Sequence, residues 1–156
     1  MNSESAAQDW QKASRFVPDP AWPASKRAAE IHALARHMRE GAKRRPGIKQ
    51  RFFGPRIGGN LSGSCALGAA FESRNGGTPA EGYDPNLASD LAWLYHSIAS
   101  YFPVLAVTMN PASQCQGCTA PSGSLYKGIF HMNDDHDFTR EAIADWLDKI
   151  ADRQED

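Results

Sequence analysis

Between residues 115 and 136 the chain reads CQGCTAPSGSLYKGIFHMNDDH, a C-x2-C-x12-H-x4-H arrangement of Cys115, Cys118, His131 and His136. Two thiolates from one tight turn and two imidazoles from a helix are the least demanding way to gather the four ligands that Zn2+ takes in a tetrahedron. The spacing falls within that of two-cysteine, two-histidine fingers. Gly117, inside the turn, lets the backbone bend toward the sulfurs. Such a set constrains the fold more than any apolar stripe, because a shared ion dictates which parts of the chain meet. Four protein ligands leave no open position, so the expected role of the Zn2+ is structural.

Two features set this stretch apart from an ordinary finger. Ser122 and Gly128 stand where apolar residues are usual, and Leu125, Ile129 and Phe130 are shifted, so the packing must differ. Five residues of ideal helix also turn through about 500°. His131 and His136 therefore share a face only if the helix opens at residues 133–135. Asp134, Asp135 and Asp137 are placed to replace His136 as a ligand or to accept a hydrogen bond from an imidazole N–H. His32 and His37 repeat the x4 spacing with no cysteine near, so a histidine pair alone proves little.

The rest of the pattern is mainly helical. Ser25 is placed to cap a helix whose apolar positions Ile31, Leu34, Ala35 and Met38 recur at helical spacing, ending near Gly41. A second helix is expected over Ser64–Arg74, stopped by Asn75, Gly76 and Gly77, with Ala66, Ala69 and Ala70 small enough for close packing. A third is expected over Pro85–Ser100, with Leu87, Leu91, Leu94 and Ile98 on one stripe. A strand over Val104–Met109, a short helix over Ser124–Met132 and a last helix capped by Thr139 complete the reading. In that last helix Ile143, Trp146, Leu147 and Ile150 form a face, while Asp145, Asp148 and Asp152 crowd the C-terminal end, where the macrodipole disfavours anions. They require cations nearby. The expected fold is thus mainly α, four to five helices with little strand, carrying a C-terminal zinc-finger-like module. It divides into a Pro-rich arm (1–23), a helical domain with a basic loop (24–110) and a zinc-binding module with the C-terminal helix (111–156).

Charge is distributed unevenly. Residues 1–56 hold 12 Lys/Arg against 5 Asp/Glu, and residues 57–156 hold 5 against 13. Such polarity implies a partner of opposite sign, head-to-tail self-association, or attraction between the halves within the fold. The basic residues Arg36, Arg39, Lys43, Arg44, Arg45, Lys49, Arg51 and Arg56, with Phe52 and Phe53 interleaved, form the candidate surface for an acidic protein or a nucleic acid, whose bases the two rings would stack. There is no apolar leader near Met1, and no apolar run is long enough to span a bilayer. An odd cysteine count with a CxxC pair fits a reducing compartment, so a cytoplasmic location is expected.

SCALGAAFE (Ser64–Glu72) and HMNDDHDFTREAIADWL (His131–Leu147) resemble two blocks of an uncharacterised group of small bacterial and phage proteins, in which S-C-A-L-G-A-A precedes H-L-N-D-D-H-x-W-T-R-x-x-I-A-D-W. Met132 stands here for the leucine and Phe138 for the tryptophan. The resemblance implies a common fold and a prokaryotic or phage source, and it brings no catalytic residue with it. Together with the charge polarity it points to a non-enzymatic binding protein, such as a regulator or inhibitor of a host complex.

Two alternatives remain at this level. One is a small enzyme that uses Cys65 or an open zinc site, with His96 or an aspartate as base. Cys65 begins a helix, where the dipole lowers a thiol pKa, but a small buried residue is the commoner use of such a cysteine. The other is a structural, self-associating component. RIGGNLSGS lacks the P-loop lysine, and the CxxC has no accompanying H-x-E element of the zinc deaminases.

Overall fold

The computed structural model describes residues 22–109, 113, 118 and 123–154. Most of the Pro-rich arm, and Cys115, lie outside the described residues.

Helix α1 (Ala24–Ala42) buries Ile31, Leu34, Ala35 and Met38, the positions its spacing selects. It begins one residue earlier than Ser25 allows. Pro23 takes the N-cap position and no side chain caps the turn; the Pro23 carbonyl instead accepts from Lys26 N and Arg27 N. The chain then runs through a loop to an antiparallel hairpin, β1 (Arg56–Ile57) and β2 (Asn60–Leu61), paired Arg56↔Leu61. Gly58 and Gly59, at φ 62° and 86°, make its turn. A glycine pair takes positive φ at both central positions of such a turn without strain.

Helix α2 (Ala66–Asn75) follows, with Cys65 at its N-cap and Gly76 closing it in the left-handed region at φ 80°. Its alanines do what their size suggests: Ala66, Ala69 and Ala70 are fully buried, and α1 crosses α2 so closely that Gly41 lies against the Ala69 backbone. Helix α3 (Ala88–Tyr101) buries Leu94 and Ile98; Leu91 is partly buried, and Leu87, at the N-cap, is half exposed. Pro103 turns the expected strand into a 3-10 turn over Pro103–Ala106, so only β3 (Thr108–Met109) remains extended. It pairs antiparallel with β4 (Gly123–Ser124).

Ser124 Oγ accepts from Lys127 N at 3.2 Å and starts α4 (Leu125–Phe130). A π turn (His131–Asp135) continues it, and α5 (Arg140–Asp152) begins with Thr139 Oγ1 accepting from Ala142 N at 3.0 Å. The fold is mainly helical with little strand, as expected. Helix α1 lies between α2 and α5, and one buried apolar cluster includes residues of all five helices, from Ile31 to Ala151. Helices α4 and α5 thus have an apolar reason to be ordered, independent of any ion.

The charges of the two halves meet across the α1–α5 seam. Arg39 pairs with Asp145 at 2.7 Å and Asp148 at 2.6 Å, while His32 bonds Asp148 at 2.7 Å and Asp152 at 3.1 Å. These are the cations that the three C-terminal aspartates require.

Candidate metal centre

The site is built on the end of α4. An α-helical path would set His131 and His136 on different sides, but the i→i+5 geometry of a π turn winds more slowly and brings them together. Their rings approach to 4.5 Å between centroids at 74°. The stretch closes as Asp137 adopts φ 58° and Phe138 N donates to Met132 O at 3.0 Å, one residue further back than the longer bond of a Schellman ending. His136 also stacks on Phe138, with centroids 6.3 Å apart.

Cys118 completes the cluster. Its Sγ lies 3.2 Å from His131 Nε2 and 3.2 Å from His136 Nε2, and all three ligand atoms lie within 4.8 Å of one another. Tetrahedral zinc with Zn–S of about 2.3 Å and Zn–N of about 2.0–2.1 Å sets its ligand atoms about 3.5 Å apart. The two S···N separations are slightly shorter than that edge, so the ligand atoms need only a small outward movement to admit an ion. His131 Nδ1 faces Asp135 Oδ2 at 2.9 Å. This carboxylate favours the tautomer with the proton on Nδ1, whose Nε2 lone pair points toward Cys118 and could take a cation.

Of the three aspartates, only Asp135 backs a ligand. Asp134 Oδ1 accepts from Gln50 N at 2.9 Å and Asn133 Nδ2 at 2.8 Å, and Asp137 pairs with Lys49. Neither stands in for His136. Cys118, His131 and His136 therefore form a group able to hold a metal ion, while Cys115 lies outside the described residues.

The residues that fix this turn escaped sequence reasoning. Asn133, buried, accepts from Ala66 N at 3.1 Å and donates to Ile48 O at 3.0 Å. The guanidinium of Arg140 donates to Ser64 Oγ at 3.0 Å, Ala42 O at 3.2 Å and Arg45 O at 2.8 Å. Burial lowers its pKa, and the oxygens of Ser64, Ala42 and Arg45 that accept from it are all neutral. Both residues belong to one of the two stretches that carry the resemblance, and both reach into the other, at Ser64 and Ala66. That pairing was the one available signal.

The basic segment is differently disposed from a nucleic-acid surface. Phe52 and Phe53 are 1% and 0% exposed, so they cannot stack on bases. Phe52 packs against Tyr95 at 4.4 Å and Phe130 at 5.6 Å, and Phe53 against Phe71 and Tyr83. Arg45 makes a two-pronged pair with buried Glu72 at 2.7 and 2.9 Å, and Arg56 donates to Tyr83 O. Arg36, Lys43, Arg44, Lys49 and Arg51 are exposed. Arg51 is hydrogen-bonded to the neutral Asn86 side chain, Lys43 pairs with Glu40, and Arg44 lies 3.7 Å from Glu72.

Cys65 is no nucleophile. It is buried, its thiol accepts from Gly68 N at 3.4 Å, and burial pushes its pKa up to about 12. The dipole effect expected at a helix start is outweighed by desolvation. His96 is exposed on α3 and lines a separate cleft with Phe71, Trp93 and Tyr101. Nor does the turn before α2 cradle a phosphate: Cys65 N donates to Phe52 O, Ala66 N to Asn133 and Gly68 N to Cys65. No helix among the described residues is long and apolar enough to cross a membrane.

Comparison with known protein families, with curated proteins and with solved structures finds no match for this chain.

Proposed function

We propose that the chain is a non-enzymatic, zinc-stabilised binding protein, with Cys118, His131 and His136 as ligands and Cys115, three residues before Cys118, as the fourth. The observation that carries this reading is the convergence of one sulfur and two Nε2 atoms on a common point, with Asp135 bonded to the far nitrogen of His131. A site closed by four protein atoms has no position for a reacting water, so the ion stabilises structure. Its zinc-finger-like character is confined to the ligand set, since α4 and α5 pack into the shared core.

The exposed cations Arg36, Lys43, Arg44, Lys49 and Arg51 form the face for an acidic partner. Buried Phe52 and Phe53 remove base stacking from this reading, which favours an acidic protein surface over nucleic acid. Charge-driven self-association is the weaker reading, because Arg39 and Arg45 already meet carboxylates of the acidic half of their own chain.

Cobalt(II) substitution tests the metal assignment. A tetrahedral site with two sulfurs gives visible ligand-field bands and a near-ultraviolet thiolate-to-metal band that Cys118→Ser and Cys115→Ser each halve. A spectrum of six-coordinate cobalt, indifferent to both substitutions, removes the proposal. Loss of only the Cys118 contribution would instead mark three protein ligands and an open position.

A further inference from the structure

The residues between and just beyond the two histidines hold parts of the chain that are far away in sequence. Asn133 bonds Ala66 N, the first amide of α2, and Ile48 O; Asp134 bonds Gln50 N; Asp137 pairs with Lys49. Three consecutive residues of the basic loop, Ile48, Lys49 and Gln50, are thus each held by the segment that presents His131 and His136. That loop is in turn stitched to the entry of α2, with Ile48 N donating to Ser64 O at 3.1 Å and Ser64 N to Pro46 O at 2.9 Å.

A π turn is a rare conformation that needs outside support, because it gives up the regular i→i+4 ladder. Here it has two supports. One is the set of hydrogen bonds and the ion pair to residues 48–50 and 66; the other, on the zinc reading, is an ion gripped by its first residue and by the residue just after its end. Each support holds the same five residues, His131–Asp135, in the same shape. Two interactions that stabilise one conformation stabilise each other.

We infer that metal occupancy and the order of the basic loop are coupled through this turn, so that the ion regulates the loop's binding face. The face includes a cleft of about 220 Å³ in which Gln50 and Arg51 of the loop oppose Leu91 and Tyr95 of α3. Two further walls, Phe130 and Asp134, come from the residue before His131 and from the π turn itself. Removing the ion lets the turn rewind toward α geometry, which rotates Asn133 and Asp134 away from Ile48 and Gln50. The core helices stay packed, because of the turn's five residues only Met132 belongs to the buried apolar cluster. An acidic partner that docks on Lys49 and Arg51 therefore binds the metal-loaded protein more tightly than the stripped one.

This inference rests on the zinc reading, and hydrogen exchange on the full chain separates the two. Protein loaded with one equivalent of zinc is compared with the same sample after chelation. The Gln50 and Ala66 amides, which donate to Asp134 and Asn133 of the turn, are expected to exchange about tenfold faster or more once the ion is gone, while Leu34 and Met38 of α1 change little. Unchanged exchange at Gln50 and Ala66 in protein shown to have bound and released zinc overturns the coupling and leaves the zinc site standing. Failure to bind zinc at all removes both. Asp134→Ala checks the reverse direction: it spares every ligand but cuts the bond to Gln50, so zinc affinity is expected to fall by a factor of about three or more. Unchanged affinity in a folded Asp134→Ala protein contradicts the coupling.

Discussion

Replacing Gly41 by alanine puts the closest helix crossing to a quantitative test. An ideal methyl at Gly41 would lie 1.8 Å from the Ala69 carbonyl oxygen and 2.4 Å from its carbon. Normal contacts between such atoms are about 3.5 Å, so α1 and α2 must separate locally by more than 1 Å, roughly. The obstacle is backbone and cannot rotate aside. Separation disturbs a seam in which Leu34, Ala35, Met38, Ala66, Ala69 and Ala70 are all 0% exposed. Overpacking typically costs about 1–3 kcal/mol, and a clash with fixed backbone belongs at or above the upper end. Alanine gains about 1 kcal/mol over glycine inside a helix. The net loss is therefore about 2 kcal/mol, a fall in Tm of about 4–8 °C for a chain of this size. Circular dichroism melts at one fixed free-zinc concentration would measure it, since a bound ion shifts apparent stability. Gly77→Ala is the control: a methyl there meets nothing within 4 Å. If Gly41→Ala melts at or above the parent temperature, the close crossing is wrong.

Three further outcomes are expected. His32 lies between Asp148 and Asp152, and its hydrogen bond to Asp148 raises its pKa above the ordinary 6.5. A raised histidine contributes stability that is complete below about pH 6.5 and is lost as pH rises through the folded value. Because the ring is 43% exposed, the contribution is below about 1 kcal/mol. The stability gap between parent and His32→Gln should therefore narrow from pH 6 to pH 9, about the full range of the transition; a gap constant with pH refutes the pairing. Asp148 moves the other way: burial pushes it up, but the bonds from His32 and Arg39 outweigh this and leave it below its usual value, so its share is lost only as pH falls through that lowered pKa. Arg140→Met strands the acceptors at Ser64, Ala42 and Arg45 and should cost about 1–3 kcal/mol in urea denaturation, with Arg140→Lys recovering only part because it lacks the planar fork; a neutral Arg140→Met would dispose of that role. Asp135→Asn should weaken zinc binding about 10–100-fold in a competition titration while leaving the ligand set intact, and an unaltered affinity would mean that Asp135 does not orient His131.

The helical elements were legible because their signals are local. Apolar spacing placed Ile31 through Met38 and Leu94 with Ile98, alanine size foretold that α2 packs closely without naming its partner, and the three aspartates at the end of α5 announced their need for cations. The clash between an x4 histidine spacing and ideal helical rotation placed an opening at residues 133–135, which falls inside the π turn of His131–Asp135. What stayed hidden depends on long-range placement. Phe52 and Phe53 sit among cations and glycines, a local setting that reads as surface, yet the loop folds back so that both rings enter the core. Asn133 and Arg140 act on backbone groups of Ser64, Ala66 and Ile48, and no local pattern announces a bond to a distant carbonyl. The burial of Cys65, by contrast, is the use its residue type suggests, and it outweighs the helix dipole.

Anomalous diffraction at the zinc edge from crystals grown with one equivalent of zinc tests the central assignment most directly. A single peak is expected between the Cys118 sulfur and the two Nε2 atoms of His131 and His136, at about 2.3 Å and 2.0–2.1 Å respectively. A map with no peak there, or with the ion bound elsewhere and the three side chains turned apart, would contradict it.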